Sequence, residues 1–112
     1  MHHLSIDIET YSSVPIVKAG LYKYAQSADF EMLLFAYSLD GAPVQVVDFT
    51  AGEQIPLNIY NLMFDPNCIK YAYNAAFEWY CLSCNMQLSI DCRSNWLHQW
   101  RDTMLHALYC GY

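Results

Sequence analysis

Near the start of the chain, in His3-Leu4-Ser5-Ile6-Asp7-Ile8-Glu9-Thr10, apolar Leu4, Ile6 and Ile8 alternate strictly with polar Ser5, Asp7 and Glu9. Strict alternation is the period of a β-strand with two unlike faces. Leu4, Ile6 and Ile8 therefore share one face, and Ser5, Asp7 and Glu9 the other. Side chains two apart on a strand sit roughly 6.5 Å apart along its axis, so Asp7 and Glu9 can lean together onto one small cation. Two acids beside an apolar strand are costly to bury unless they are paired or bind a metal. Two readings follow from this segment alone: a half-exposed strand with a solvated acidic face, or a cation site.

The chain has 112 residues, of which 55% are apolar and 14% charged, so it is expected to form one domain with a real core and not a disordered segment. Its net charge of -6, with only Lys18, Lys23, Lys70, Arg93 and Arg101 as fixed cations, excludes nucleic-acid binding through a broad basic face. A phosphate ligand would need bound divalent cations to reverse the sign of an acidic pocket. Cys68, Cys81, Cys84, Cys92 and Cys110 are odd in number and lack a framework spacing, which reads as reduced, mostly buried thiols in a cytoplasmic protein. Cys81 and Cys84 form a C-x-x-C, so structural zinc or redox chemistry is the alternative, although no second pair follows and His98 and His106 do not fit finger spacing. No signal peptide is visible, because Asp7 and Glu9 interrupt the place of an apolar segment. The longest apolar run, Met32 to Tyr37, is far short of the roughly 20 residues of a membrane span.

Along the chain, Tyr11 to Pro15 is expected to be a loop and Lys18 to Ala25 a short helix weakened by Gly20. Glu31 to Leu39 and Pro43 to Phe49 are predicted strands around Asp40-Gly41, a dipeptide suited to the two positive φ values of a hairpin turn. The first of these strands is apolar nearly throughout, which predicts cover on both faces. Pro56 opens a helix to about Phe64, Asp65-Pro66-Asn67 is a turn, Cys68 to Tyr73 a strand, and Asn74 to about Leu88 a helix with Phe77, Cys81, Cys84 and Leu88 on one side. Ser89 to Asn95 is expected to be polar and turn-like, Trp96 to Trp100 a short strand, and Asp102-Thr103 the N-cap of a last helix, Met104 to Tyr109. This order is an α/β plan with a mixed five-stranded sheet and flanking helices, similar to the ribonuclease H-like sheet.

In an open α/β sheet, ligands gather at the carboxyl ends of strands where the strand order reverses. If the Cys68 strand runs parallel to and beside the first, Glu78 lands near Asp7 and Glu9, with Asn74 at the lip of the same crevice. Taken alone, Glu78 reads first as a carboxylate placed to suit a helix N-terminus.

Three segments together carry a resemblance. Asp7-Ile8-Glu9-Thr10 resembles the first motif, D-x-E-T, of the DEDD 3'-5' exonuclease superfamily; Asn74-Ala75-Ala76-Phe77-Glu78 resembles its second, N-x-x-x-F-[D/E]; and Asp102-Thr103-Met104-Leu105 is similar to the D-T-M-L of proofreading domains. The resemblance is to the exonuclease domain of phage-type family A DNA polymerases and spans essentially the whole chain. It implies a site for two Mg²⁺ or Mn²⁺ ions, with Asp7 bridging them, Glu9 on the ion that activates water and Glu78 supporting the other. It also implies that Ile8, Thr10, Asn74 and Phe77 meet the terminal nucleotide.

The family more often has Asp where this chain has Glu78. Its third motif, a Tyr or His followed by the last metal-binding Asp, would lie beyond Tyr112. The chain is therefore expected to be residues 1–112 of a C-terminally truncated exonuclease domain, inactive or weak by itself. Its expected partners are a DNA 3' end or single-stranded DNA, a downstream polymerase domain, and further copies of itself through exposed apolar surface; no membrane partner is expected. Its setting would be the cytoplasm of a bacterial cell or a phage-infected host. The alternatives are a non-catalytic remnant or interaction module with the same fold, and an RNA-trimming member of the superfamily.

Overall fold

The computed structural model describes residues 1–103. Five strands, β1 (His2–Tyr11), β2 (Glu31–Leu39), β3 (Gln45–Asp48), β4 (Cys68–Ala72) and β5 (Trp100–Asp102), form one mixed sheet in the order β3-β2-β1-β4-β5. β1 lies at its centre, antiparallel to β2 and parallel to β4, while β5 is parallel to β4. This is the α/β architecture read from the sequence, and it is consistent with a ribonuclease H-like fold. Among the described residues, five α-helices accompany the sheet: α1 (Ile16–Ala19), α2 (Leu21–Gln26), α3 (Leu57–Phe64), α4 (Ala75–Asn85) and α5 (Ile90–Leu97).

The alternation of β1 decides the layering. Leu4, Ile6 and Ile8 are buried, whereas Ser5, Asp7 and Glu9 are exposed. Pairing of Leu4 with Leu39, of Ile8 with Phe35, and of Leu4 with Lys70 continues the buried face across β2 and β4. Ile59 and Met63 of α3, Tyr80, Cys81 and Leu82 of α4, and Trp96 of α5 close this core. Trp96 ties three elements together: its Nε1 donates to the Met63 carbonyl at 2.6 Å, and its ring meets Phe64 and Trp100.

Several local expectations change. Gly20, at φ 86° and ψ 167°, splits the Lys18–Ala25 segment into α1 and α2; this backbone region is essentially restricted to glycine. Asp40 and Gly41 do adopt the two positive φ values, 53° and 78°, and the Ala42 amide closes the turn on the Leu39 carbonyl. The ladder with β3 nonetheless begins only at Gln45, paired with Tyr37, because Pro43 has no N–H to give it. β2 buries Met32 and Phe35 on one face, while Leu34, Ala36 and Ser38 on the other are only half-buried and the neighbouring Val46 is exposed. The expected double cover of β2 is thus absent among the described residues.

From Ile90 onward, the segment expected to be turn-like is helix. The Ser89 hydroxyl accepts from the Cys92 amide at 3.2 Å and caps α5, with Asp91 in its first turn. The last strand accordingly shifts from Trp96–Trp100 to Trp100–Asp102. Helix α4 ends at Asn85 instead of Leu88, and it buries Glu78, Tyr80, Leu82 and Ser83 in addition to Cys81. The predicted helix over Met104–Tyr109 lies outside the described residues. Cys68, Cys81, Cys84 and Cys92 are free thiols, and burial pushes Cys81 up to about 12, which keeps it protonated and inert. No helix among the described residues is long and apolar enough to cross a membrane.

Candidate functional site

β1 and β4 run side by side only from His2 opposite Cys68 to Ser5 opposite Tyr71. Beyond Ser5 the pair opens, and the chain leaving β4 turns through Tyr73 and Asn74 into α4. The opening lies at the carboxyl ends of parallel strands, where the sheet's connections diverge, and is the general ligand crevice of α/β sheets. Asn74 makes the tight entry possible by taking φ 62° and ψ 63°, a left-handed conformation that asparagine tolerates better than most residues.

The entry carries Glu78 into the crevice. Its side chain is only 4% exposed, and Oε2 has no hydrogen-bond partner among the described residues. Burial pushes its pKa up from 4.5 to about 7; the backbone amides of Glu78 and Ile8 partly offset this, and the negative charges of Asp7 and Asp102 add to it. A buried carboxylate with an unpaired oxygen is unfavourable by itself. An oxygen-seeking cation would satisfy it.

The remaining expected residues are distributed around Glu78. Asp7 and Glu9 are exposed on one face of β1, and buried Ile8 stands between them, close enough for its amide to act on Glu78. Just past Glu9 the ladder slips: Glu9 pairs with Leu34 but Thr10 with Met32, so Leu33 is bulged out. Such a bulge bends the strand end and re-aims its side chains. Thr10 turns inward, its Oγ1 2.9 Å from the Tyr24 hydroxyl. Asn74 is exposed at the lip, and its amide donates to Asp102 Oδ1 at 3.1 Å. Phe77 is half-buried on the first turn of α4, 6.2 Å from the Tyr24 ring.

The structure thus brings the Ile8 amide to Glu78 and puts Glu78 within the field of Asp7, with Glu9 and Thr10 continuing the same strand and Asn74 and Phe77 near Glu78 in the chain. Among the described residues, no three His, Cys, Asp or Glu side chains form a group that could hold a metal ion. The donor set is all carboxylate oxygen, the type that suits Mg²⁺ or Mn²⁺, and the unpaired Glu78 oxygen fits such a ligand.

Two residues at the site escaped the sequence reading. Asp102 was expected as a helix N-cap and as the start of the D-T-M-L segment but not as a site residue, and it ends β5 beside Asn74 and contributes to the field at Glu78. Its place at the carboxyl end of a parallel strand was the available signal. Tyr24 had no signal, because its contacts depend on how α2 docks against α4.

A DNA polymerase of Bacillus phage SP02 is 42% identical to this chain over 111 residues. The match covers 99% of the chain, and the chain spans 16% of that relative's length. No family model matches the chain. No solved structure matches it.

Proposed function

We propose that the chain is the 3'-5' exonuclease part of a DNA polymerase and hydrolyses the terminal phosphodiester of DNA 3' ends to release nucleoside monophosphates. The observation that carries this reading is the buried Glu78, whose Oε2 has no hydrogen-bond partner among the described residues and whose carboxyl is acted on by the Ile8 amide and the charge of Asp7. The similarity to a phage DNA polymerase over nearly the whole chain supports a nucleic-acid substrate and a polymerase domain as partner.

Asp7, Glu9 and Glu78 are the residues that would hold Mg²⁺ or Mn²⁺. Such ions supply an activated water nucleophile and stabilise the leaving oxygen. The chain's own contribution is placement. Ile8 holds Asp7 and Glu9 at strand spacing and directs its amide toward Glu78. Thr10 and Phe77 form the inner wall for the terminal nucleotide, and Asn74 forms the lip. The net charge of -6 leaves bound cations as the means of attracting a polyanion.

The test is release of a 3'-terminal label from single-stranded DNA in Mn²⁺. Slow cleavage that is lost in Asp7→Asn supports the reading. Robust cleavage that survives Asp7→Asn overturns it. A matching RNA oligonucleotide distinguishes DNA proofreading from RNA trimming, and a folded chain that neither binds Mn²⁺ nor cleaves would be a non-catalytic module.

A further inference from the structure

The connection between β1 and β2 bears on the site through one residue. Helix α2 docks on α4 by three side chains: Tyr22 packs edge-on against Tyr80 at 4.6 Å, Gln26 Nε2 donates to the Tyr80 hydroxyl at 2.6 Å, and Tyr24 lies against Phe77 at 6.2 Å. Tyr22 and Gln26 anchor the helix. Tyr24 points the other way along α2, to the carboxyl end of the sheet, with Phe30 backing its ring at 6.0 Å.

Its two functional contacts fall on different segments. The hydroxyl is 2.9 Å from Thr10 Oγ1, the residue after Glu9, and the ring meets Phe77, the residue before Glu78. We infer that Tyr24 is a positioning residue: it ties the end of β1 to the first turn of α4 and holds Thr10 and Phe77 as one wall for the terminal base of a single-stranded end. This rests on the nuclease reading for the ligand, while the bridge itself does not. A hydroxyl-to-hydroxyl bond sets the Thr10 rotamer, which two methyl-sized substituents would otherwise leave to choose among wells. A tilted ring at this distance gives Phe77 a rigid back, so a base stacked on its other side meets a fixed surface.

The chemistry divides between two variants. Tyr24→Phe keeps the ring and removes only the bond to Thr10; Tyr24→Ala removes both. The probe is a 5'-fluorescein oligothymidylate of about ten nucleotides with a phosphorothioate at its last linkage, titrated in Mn²⁺ and followed by anisotropy. A second probe is identical except for an abasic 3'-terminal sugar.

Tyr24→Phe is expected to weaken the ordinary probe about fivefold, the loss of one hydrogen bond. Tyr24→Ala is expected to weaken it about 20-fold, with most of the ring's share vanishing on the abasic probe. Unchanged affinity in both variants, or an equal loss on both probes, overturns the inference, since a general structural defect does not distinguish a base from its absence. Should Tyr24→Ala fail to fold, Tyr24→Phe alone decides, with wild-type affinity as the overturning result. Asp7→Asn in the same titration tests the nuclease reading separately: wild-type affinity there, beside a Tyr24 effect that depends on the terminal base, removes the cation site and leaves the wall.

Discussion

Replacing Glu78 by glutamine should stabilise the protein above neutral pH and much less at pH 5. The side chain is 4% exposed, and burial raises its pKa from 4.5 to about 7. The folded protein therefore holds this proton more tightly than the unfolded chain. Its contribution to stability is complete below about pH 4.5 and is lost as pH rises through about 7. At about 1.4 kcal/mol per pH unit, the move corresponds to about 3 kcal/mol of destabilisation carried by ionised Glu78 at pH 8. Glutamine has the shape of the protonated acid and no charge to bury, so Glu78→Gln should recover most of it.

Urea unfolding of both proteins at pH 5 and pH 8 measures the difference directly. With an m-value of about 1.5 kcal/mol/M for a chain of this size, the variant's midpoint should lie about 2 M higher at pH 8 and only about 0.5 M higher at pH 5. Comparing the two proteins at each pH cancels the contributions of the other carboxylates. A difference that is the same at both pH values, or a wild type more stable than the variant at pH 8, would refute the placement of a buried carboxylate with one unpaired oxygen in the crevice.

Other consequences can be measured independently. Phe35 is fully buried at the centre of the sheet, so Phe35→Ala should cost about 4 kcal/mol in chemical denaturation. The buried Lys70 ammonium donates to the Asp65 and Cys68 carbonyls and to Gln99 Oε1, so Gln99→Ala leaves a charged donor short of a partner and should cost about 2 kcal/mol, read as a lowered melting temperature. Gly20→Ala forces a Cβ into a backbone conformation at φ 86° and should cost about 2 kcal/mol, with oligonucleotide affinity falling too because α2 carries Tyr24. The His2 side chain, 2.7 Å from Asp40, and then the His3 amide hold the Asp40 carboxyl below its ordinary range; His2→Ala should return it part of the way, as an NMR titration of the carboxyl carbon would register.

What the sequence made legible was periodic or stereochemically forced. β1 was readable because one of its faces is buried, so the alternation of Leu4, Ile6 and Ile8 with Ser5, Asp7 and Glu9 had a single solution. Asp40-Gly41 was readable because few dipeptides accept two positive φ values, and both are observed. Helix α5 was hidden: the six mostly polar residues after Ser89 look like a turn, and their helical state depends on the Ser89 cap and on Trp96 inserting between α3 and β5. The motif positions could be marked in one dimension, but the state of Glu78 could not. A carboxylate near a helix start is ordinarily solvated, and only the parting of β1 and β4 beyond Ser5 shows that this one enters the fold. The same holds for Tyr24, whose reach to Thr10 and Phe77 is a property of helix docking.

We propose that the crevice between β1 and β4 takes up a divalent cation through Glu78 and Asp7, with Glu9 on the same strand joining only once the ion is bound. Isothermal titration of the folded protein with Mn²⁺ at pH 8 tests it most directly, where Glu78 is ionised. Saturable heat is expected that disappears in Asp7→Asn and weakens in Glu9→Gln and Glu78→Gln. Equal binding in wild type and Asp7→Asn, or no binding by a wild type shown to be folded, would contradict it.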